Sequence, residues 1–403
     1  MLVIRGGTIM TPDKVIKQGS VLINEGKIAQ VGKDIAVPAG AKVVEAGGKF
    51  IIPGMIDAHC HTGVFADGVG WEQNDGNEMT DPITPHLRAI DAIHPDDMAF
   101  KDLREAGVTT INTGPGSANV IGGQTVVVKT CGKTVDEMLV CAPVAMKMAL
   151  GENPKRVYGE QKKTPSTRMG NAGVLRESLM KAQDYQEKRE RYEQQLADYK
   201  ANKGNGKEPE PPERNLRLQA LGQVLKREIP AHVHAHRADD MLTALRIAAE
   251  FDFRVIFIHA TEGYKVADIL AKEGVPCVVG PILFSRTKYE LRGMNPRNPA
   301  ILSEAGVKVA IQTDQMSAVK YILFDAALAV REGMDEQEAI KAITIYPAEI
   351  LGIANRVGSL EEGKDADIVI MSGPPLHVKD SRVERVFIAG KQVYNRETEE
   401  ARM

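Results

Sequence analysis

Two histidines, His59 and His61, stand two residues apart in IPGMIDAHCHTG, at the end of a short apolar run. Side chains two apart in an extended strand face the same side, so both imidazoles reach one point while Cys60 faces away. Imidazole is the commonest side-chain ligand of zinc and related divalent metals. The pair suggests a metal site, although an isolated H-x-H on a strand is often a structural or surface coincidence.

Three further apolar runs end in histidine or aspartate. IPAHVHAHR places His232, His234 and His236 on one face of a strand, while RVIFIHATEG ends in His259 and VKVAIQTDQ ends in Asp314. The C-terminal ends of parallel barrel strands converge on one mouth, so residues distant in sequence can meet there. Buried imidazoles and carboxylates are costly unless they have partners. Four such strand ends therefore predict a metal site and not core filling.

These residues together predict a reaction in which a metal ion activates water. A divalent cation lowers the pKa of bound water from about 15.7 to about 7, which provides a hydroxide nucleophile at neutral pH. Asp314 would accept the proton of that water and return it to the leaving group, as general base and then acid. A histidine not used by the metal, such as His236, would stabilise the oxyanion. We expect one or two divalent ions, with zinc first and manganese or iron as alternatives.

The elements that must position these residues follow two patterns. Residues 1 to about 50 are short strands separated by glycine turns, and residues 355–403 return to this β character after a helix. Between them, apolar strands alternate with helical periodicity, which predicts an α/β fold with a parallel sheet. Eight such units would close a TIM-like (β/α)₈ barrel over 51–354. The simplest arrangement joins 1–50 and 355–403 in one discontinuous small domain.

Two parts of the barrel region are less regular. The third and fourth strands are assigned to QTVVVKT at 124–130 and APVAMKMAL at 142–150. Residues 174–214 form a highly charged helix that runs into NGKEPEPPERN. This insertion is interpreted as a solvated helical hairpin with a flexible Pro/Glu loop, and the alternative is a lid or an oligomer contact.

The composition and net charge limit the classes of partner that the protein could bind. The 403 residues are 43% hydrophobic and carry a net charge of -3, which gives no basic surface for nucleic acid and no polybasic membrane patch. We expect a small-molecule substrate, and a homo-oligomer stays open. No apolar run is long enough to span a bilayer, and the N-terminus lacks a signal-peptide pattern, so a cytoplasmic location is expected. The four cysteines form no C-x-x-C pair and are expected to be reduced core thiols.

The order of these motifs resembles that of a known group of proteins. The motifs are G-G-T-I at the start, IPGMIDAHCHTG, GVTT, the HAH and IHA strand ends, TD at 313–314, and EEGKDADIVI. They resemble the amidohydrolase superfamily, especially its imidazolonepropionase-like branch, over essentially the whole chain apart from the charged insertion. The resemblance is specific for the superfamily and not for a substrate.

The resemblance implies a metal-binding (β/α)₈ barrel with a β-sandwich built from both termini. It also implies hydrolysis of a C–N bond, amide or cyclic amide, in a small molecule. Deamination of a heterocycle and prolidase-like cleavage of a dipeptide are the alternatives. A non-catalytic scaffold is a further alternative, which the five matched positions, including the acid, disfavour.

Carried over by position, the resemblance implies five metal ligands and a bridging group. The ligands are the first-strand His59 and His61, the fifth-strand His234 with His236 as runner-up, the sixth-strand His259, and the eighth-strand Asp314. In many relatives a carboxylated lysine or a glutamate from the fourth strand bridges two metals. Lys147 in AMKMALG and Glu152 in LGENP compete for this role. Glu152 is preferred, because it needs no covalent modification and lies nearer the expected barrel mouth.

Other polar residues near predicted strand ends are candidates for substrate contact, and each also has an ordinary structural explanation. The glycine-rich stretch GPGSANVIGGQ at 114–124 is a loop that could approach a ligand closely. It lacks the Lys-Ser/Thr ending of a P-loop. The candidate side chains are Asn112, Gln124, Arg237, Thr261 and Arg286.

Overall fold

The computed structural model describes residues 1–12, 14–68 and 74–401. Its strands are β1 (Leu2–Met10), β2 (Val15–Asn24), β3 (Lys27–Gly32), β4 (Lys42–Glu45), β5 (Phe50–Pro53), β6 (Met55–Cys60), β7 (Val108–Thr113), β8 (Ile121–Gln124), β9 (Val126–Lys129), β10 (Leu139–Cys141), β11 (Met146–Ala149), β12 (Ala231–Ala235), β13 (Val255–His259), β14 (Cys277–Val279), β15 (Val309–Ile311), β16 (Ile368–Met371), β17 (Val383–Ile388) and β18 (Lys391–Asn395).

The helices connect these strands and cover them. They are α1 (Met98–Glu105), α2 (Val135–Met138), α3 (Glu152–Glu160), α4 (Arg168–Ala201), α5 (Leu216–Leu225), α6 (Ala238–Phe251), α7 (Ala267–Lys272), α8 (Asn298–Glu304), α9 (Ile322–Arg331), α10 (Glu336–Lys341), α11 (Ile345–Ile350) and α12 (Arg396–Glu400). No helix in the described ranges is long and apolar enough to cross a membrane.

Strands from both ends of the chain form one sheet. Its order is β18-β17-β16-β5-β1-β2-β3, with β4 paired beside β1. The join between the two ends is the antiparallel pair β5 and β16, in which Ile52 faces Val369. Ile4, Ile51 and Ile370 are buried in the apolar layer of this sheet. Neither terminal segment therefore completes the sheet without the other.

The strands that carry the histidines form two further sheets. Strands β11 to β15 run parallel in chain order, and β6 pairs in parallel with β7. Every residue of these strands is buried, as expected for parallel strands covered by helices. The backbone N–H of His61 donates to the carbonyl of Gln315 at 3.0 Å, and Thr125 N–H donates to Ala145 O at 2.9 Å. These bonds link the two sheets along their edges.

The described strands do not pair into one continuous ring, so the closed eight-stranded barrel stays a prediction. The segment 124–130 was expected as a third parallel strand, and this is wrong. Strand β9 pairs antiparallel with β7, because the chain reverses in the loop 114–120 and then runs through β8 into β9 with only Thr125 between them. The segment 142–150 contains β11, which is parallel to β12 as expected.

The charged insertion differs from its predicted form. Helix α4 begins earlier, at Arg168, and its first half contributes Leu175, Leu179 and Ala182 to the core. No residue of α4 after Tyr185 is buried, and residues 202–215 have no regular structure. The sequence from 174 onward therefore combines a packed helix with a solvated extension, and only the outer part fits the solvated hairpin.

Candidate metal centre

The first and last strands of this region are held together by a buried carboxylate. Asp57 Oδ1 accepts from the backbone N–H of His59 at 2.9 Å, and Oδ2 accepts from the N–H and hydroxyl of Thr313 at 3.1 and 2.8 Å. Burial raises the pKa of Asp57 to about 7. Asp57 therefore fixes the distance between His59, near the end of β6, and Asp314, which follows Thr313.

Two residues of the site adopt a backbone conformation that side chains rarely take. His259 has φ of 73° and Asp314 has φ of 56°. For residues other than glycine this left-handed region is uncommon and is concentrated at functional sites. In both cases it occurs at or just beyond the end of a strand, and both side chains meet in the same cluster.

Asp314 lies at the centre of three imidazoles. Its Oδ1 is 3.3 Å from Nε2 of His59, 3.4 Å from Nε2 of His61 and 3.6 Å from Nε2 of His259. In a tetrahedral site with bonds of about 2.0–2.2 Å, ligand atoms lie about 3.4 Å apart. The separations therefore match those of atoms that share one ion. Although burial opposes ionisation, the neighbouring histidines hold the pKa of Asp314 well below its usual range.

Backbone carbonyls orient two of these imidazoles. Nδ1 of His61 lies 2.8 Å from the carbonyl of Gly114, and Nδ1 of His259 lies 2.8 Å from that of Gly280. A carbonyl only accepts, so each Nδ1 carries a proton, and each Nε2 faces Asp314. Such outer contacts fix the tautomer of metal-binding histidines.

A second cluster shares His259. Ligand nitrogens of His234, His236 and His259 lie within 4.8 Å of one another, and all three residues are buried. The Nε2 atoms of these three imidazoles have no hydrogen-bond partner among the described residues. Burial lowers the pKa of His234 and His236 well below the ordinary value and that of His259 to about 4. Neutral imidazoles with unused buried nitrogens fit a metal ion, because burying them without a partner is costly.

The fourth-strand position is occupied by Lys147. Its side chain is buried, and Nζ lies 3.0 Å from Nε2 of His59. Burial lowers the pKa of Lys147 to about 8. Glu152 instead starts α3, and its carboxylate faces the backbone N–H of Glu290 at 3.4 Å. Lys147 therefore lies beside the histidines, whereas Glu152, the bridging group preferred from the sequence, faces the loop that carries Glu290.

A cavity of about 870 Å³ opens onto the cluster. His234, His236, His259 and Asp314 line it, together with two predicted substrate contacts, Thr261 and Arg286.

The remaining predicted contacts lie outside this cavity. The Gln124 amide donates to the carbonyl of Pro85 at 3.2 Å, and the Arg237 guanidinium pairs with Asp239 at 2.6 Å. The Asn112 amide donates to the carbonyl of Ala58 at 2.9 Å. Local partners therefore hold Gln124, Arg237 and the amide nitrogen of Asn112, whereas Asn112 Oδ1 has no partner among the described residues.

Comparison with known proteins identifies the family of this chain. The model of the amidohydrolase family matches residues 50–393. The chain belongs to the amidohydrolase family. This membership, with the hydrolases among its relatives, supports a hydrolytic enzyme.

Three proteins are similar to this chain over most of its length. A solved amidohydrolase structure from Thermotoga maritima MSB8 is 43% identical, with a TM-score of 0.91, and the match covers 98% of this chain and 100% of that chain. Amidohydrolase tasK of Hapsidospora irregularis is 29% identical over 92% of this chain, which spans only 39% of the tasK protein. Imidazolonepropionase of Thermoplasma acidophilum is 26% identical over 89% of this chain and 84% of that protein.

Sequence reasoning missed two charged residues beside the histidines, Lys288 and Glu290. Glu290 is buried, with Oε1 at 3.7 Å from Nε2 of His236 and 3.9 Å from Nε2 of His234. Although burial opposes ionisation, the Lys288 ammonium at 2.9 Å lowers the pKa of Glu290. Both residues lie in the loop after β14, whose sequence FSRTKYE has no strand or helix pattern. Arg286 from this loop was a candidate in the sequence, but no pattern in the sequence pointed to Lys288 or Glu290.

Proposed function

We propose that this family member is a metal-dependent hydrolase that cleaves an amide or cyclic amide C–N bond of a small molecule. The observation that supports this most is the position of Asp314 Oδ1, within 3.6 Å of the Nε2 atoms of three histidines. A carboxylate shared among three imidazoles can bind a cation and also exchange a proton with water at the same place.

His59, His61 and Asp314 would hold one divalent ion, and His234 and His259 would hold a second. Zinc is the first choice, since histidine and carboxylate ligands suit it, with manganese and iron as alternatives. A bound divalent ion supplies a lowered pKa for water and polarisation of the substrate carbonyl.

Lys147 would carry the bridging group as a carbamate. The neutral amine attacks the carbon of carbon dioxide, an N–C bond forms, and one proton leaves, so the side chain becomes an anion. The lowered pKa of Lys147, about 8, makes the neutral amine accessible near neutral pH. The product is a carboxylate-like ligand beside His59, where an ammonium would repel a cation.

The remaining residues move or stabilise charge. Asp314 accepts a proton from the attacking water on its carboxylate and returns it to the leaving nitrogen. His236 lines the cavity, and its Nδ1 lies 2.7 Å from the hydroxyl of Thr261. If that hydroxyl donates to Nδ1, the tautomer is fixed with the proton on Nε2. His236 then donates from Nε2 to the oxyanion that forms at the substrate carbonyl.

The experiment is a panel assay with metal-free protein and with protein reloaded with zinc, manganese or iron. The panel holds cyclic amides, N-acyl amino acids, dipeptides and amino-heterocycles, so it also tests the dipeptidase and deaminase alternatives. We expect turnover of an amide or cyclic amide. This turnover should be absent from protein made metal-free with a chelator and should return when metal is added. Equal turnover with and without metal would contradict the proposal. Metal binding without turnover of any compound would favour the scaffold alternative.

A further inference from the structure

The wall of the cavity beside the metal centre is cationic. Arg156, Arg286 and Lys288 line it, whereas the acids that line it are Asp314 and Glu332. Asp314 is already surrounded by histidines, and Glu332 lies next to Arg331. The non-metal wall therefore has an excess of positive charge directed at whatever fills the cavity.

Two of these cations have no side-chain partner within the described part of the protein. Neither the Arg156 nor the Arg286 side chain forms an ion pair or hydrogen bond with any residue in the described ranges. Other arginines close to the site do find partners, as Arg168 does with Asp240 at 3.0 Å and Arg237 with Asp239 at 2.6 Å. Pairing of two charges within the protein thus does not explain the arginines of the cavity wall.

The third cation is held in place. Lys288 Nζ lies 2.9 Å from Glu290 Oε1 and donates to Asn153 Oδ1 at 3.0 Å. Asn153 in turn donates to the hydroxyl of Ser117 at 2.8 Å. Ser117 comes from the glycine-rich loop, Asn153 from α3 and Lys288 from the loop after β14. An ammonium has three N–H bonds, so one remains for a ligand in the cavity.

This ammonium lies close to the reacting groups. Glu290 Oε1, which contacts Lys288, is also 3.7 Å from Nε2 of His236. Only the carboxylate of Glu290 therefore lies between His236 and a ligand group that binds Lys288. The need to neutralise Glu290 would explain why a cation lies beside it. It would not explain why the Lys288 ammonium also faces the cavity, or why two unpaired arginines line the same wall.

We infer that the substrate carries a carboxylate close to the scissile C–N bond, and that Lys288 binds this carboxylate while Arg156 and Arg286 attract it at the cavity wall. The inference rests on the proposed function, since it names the substrate class of the same site. Charge-assisted hydrogen bonds are the stronger ones, and an anion placed by three cations is oriented as well as bound. Neutral amides of the same size would lack this anchor.

The test compares each acid of the panel with its carboxamide. The variants are Lys288→Met, Arg286→Gln and Arg156→Gln, and Lys272→Met at an exposed lysine on α7 is the control. We expect the wild type to prefer the acid, and Lys288→Met to raise KM for the acid roughly tenfold to a hundredfold, so that the preference for the acid over its carboxamide is lost. Each arginine variant should raise KM for the acid by a smaller factor, and because both side chains are exposed, neither change should impair folding.

A binding measurement separates this inference from the proposed function. Thermal unfolding of the metal-loaded protein is followed with N-acyl amino acids and with their carboxamides, whether or not either is hydrolysed. The acids should raise Tm in the wild type and the control, and should lose this effect in Lys288→Met or, if that variant is unstable, in Arg286→Gln. Equal shifts by acid and carboxamide, or no shift by any acid at millimolar concentration, would overturn the carboxylate assignment. An acid-specific shift without hydrolysis would support it and count against the proposed reaction.

Discussion

Nζ of Lys147 lies 3.0 Å from Nε2 of His59, although the two residues stand 88 positions apart on β11 and β6. Both side chains are buried, and an ammonium at this distance would repel a cation held by His59. Conversion of the amine to a carbamate replaces that repulsion by attraction. This contact leads directly to the first prediction.

Lys147→Ala should reduce bound metal by about one equivalent and lower turnover by several orders of magnitude, because the bridging anion is lost. Glu152→Gln is the matched control, since its carboxylate faces Glu290 and should leave metal content unchanged. Elemental analysis gives the metal per chain, and native mass spectrometry should find one added carbon dioxide in the wild type that acid removes. The reverse pattern, with metal lost only in Glu152→Gln, would restore Glu152 as the bridging group.

The second prediction separates two neighbouring histidines. His234→Asn should lose one ion, because the unused Nε2 of His234 is assigned to the metal. His236→Asn should keep its metal and lose roughly two to three orders of magnitude in kcat, the scale of an oxyanion donor. Metal per chain and kcat are measured on the same preparations. Loss of an ion from His236→Asn would instead assign His236 as a ligand, which its place in the second cluster also permits.

The third prediction concerns the sheet shared by the two ends of the chain. A chain that begins at Ile51 lacks β1 to β4, so the edge of β5 and the apolar face around Ile370 become exposed. Exposed strand edges and apolar faces promote aggregation. We expect this protein to aggregate, as judged by size-exclusion chromatography. A chain that ends at Asn395 is the control, because it removes α12, which has no buried residue. Monodisperse protein beginning at Ile51 would argue against one domain built from both termini.

The strand ends were the predictable part of this site. An alternation of period two decides which side chains share a face, and parallel strands bring their carboxyl ends together, so His59, His259 and Asp314 meet as their patterns suggest. The direction of β9 was not predictable, because a short apolar run reads the same in either direction. Lys288 lies in a loop whose position depends on contacts with Asn153 and Glu290, and such contacts leave no local pattern.

For a related reason, the sequence did not show which of Lys147 and Glu152 lies beside the histidines. Both residues lie near the end of one apolar run, and the sequence does not show where the strand stops and the helix begins. Strand β11 ends at Ala149 and α3 begins at Glu152, with Gly151 at φ of 92° between them. This turn keeps Lys147 inside the sheet and directs Glu152 to the loop of Glu290.

The last prediction separates proton transfer from metal binding. Asp314→Asn is nearly isosteric and removes the proton acceptor, while the four imidazoles of His59, His61, His234 and His259 remain to hold at least one ion. If Asp314 is general base and acid, the variant should keep its fold and most of its metal yet lose roughly two to four orders of magnitude in turnover.

Asp268→Asn, at an exposed carboxylate on α7, is the control for loss of a negative charge and should retain full turnover. Circular dichroism and metal analysis are needed on both variants, because loss of an ion would lower turnover without any role in proton transfer. Near wild-type turnover of Asp314→Asn would remove Asp314 from the proton transfer. Lost turnover together with lost metal would instead leave Asp314 a ligand, and the water's proton would then need another acceptor at the mouth of the cavity.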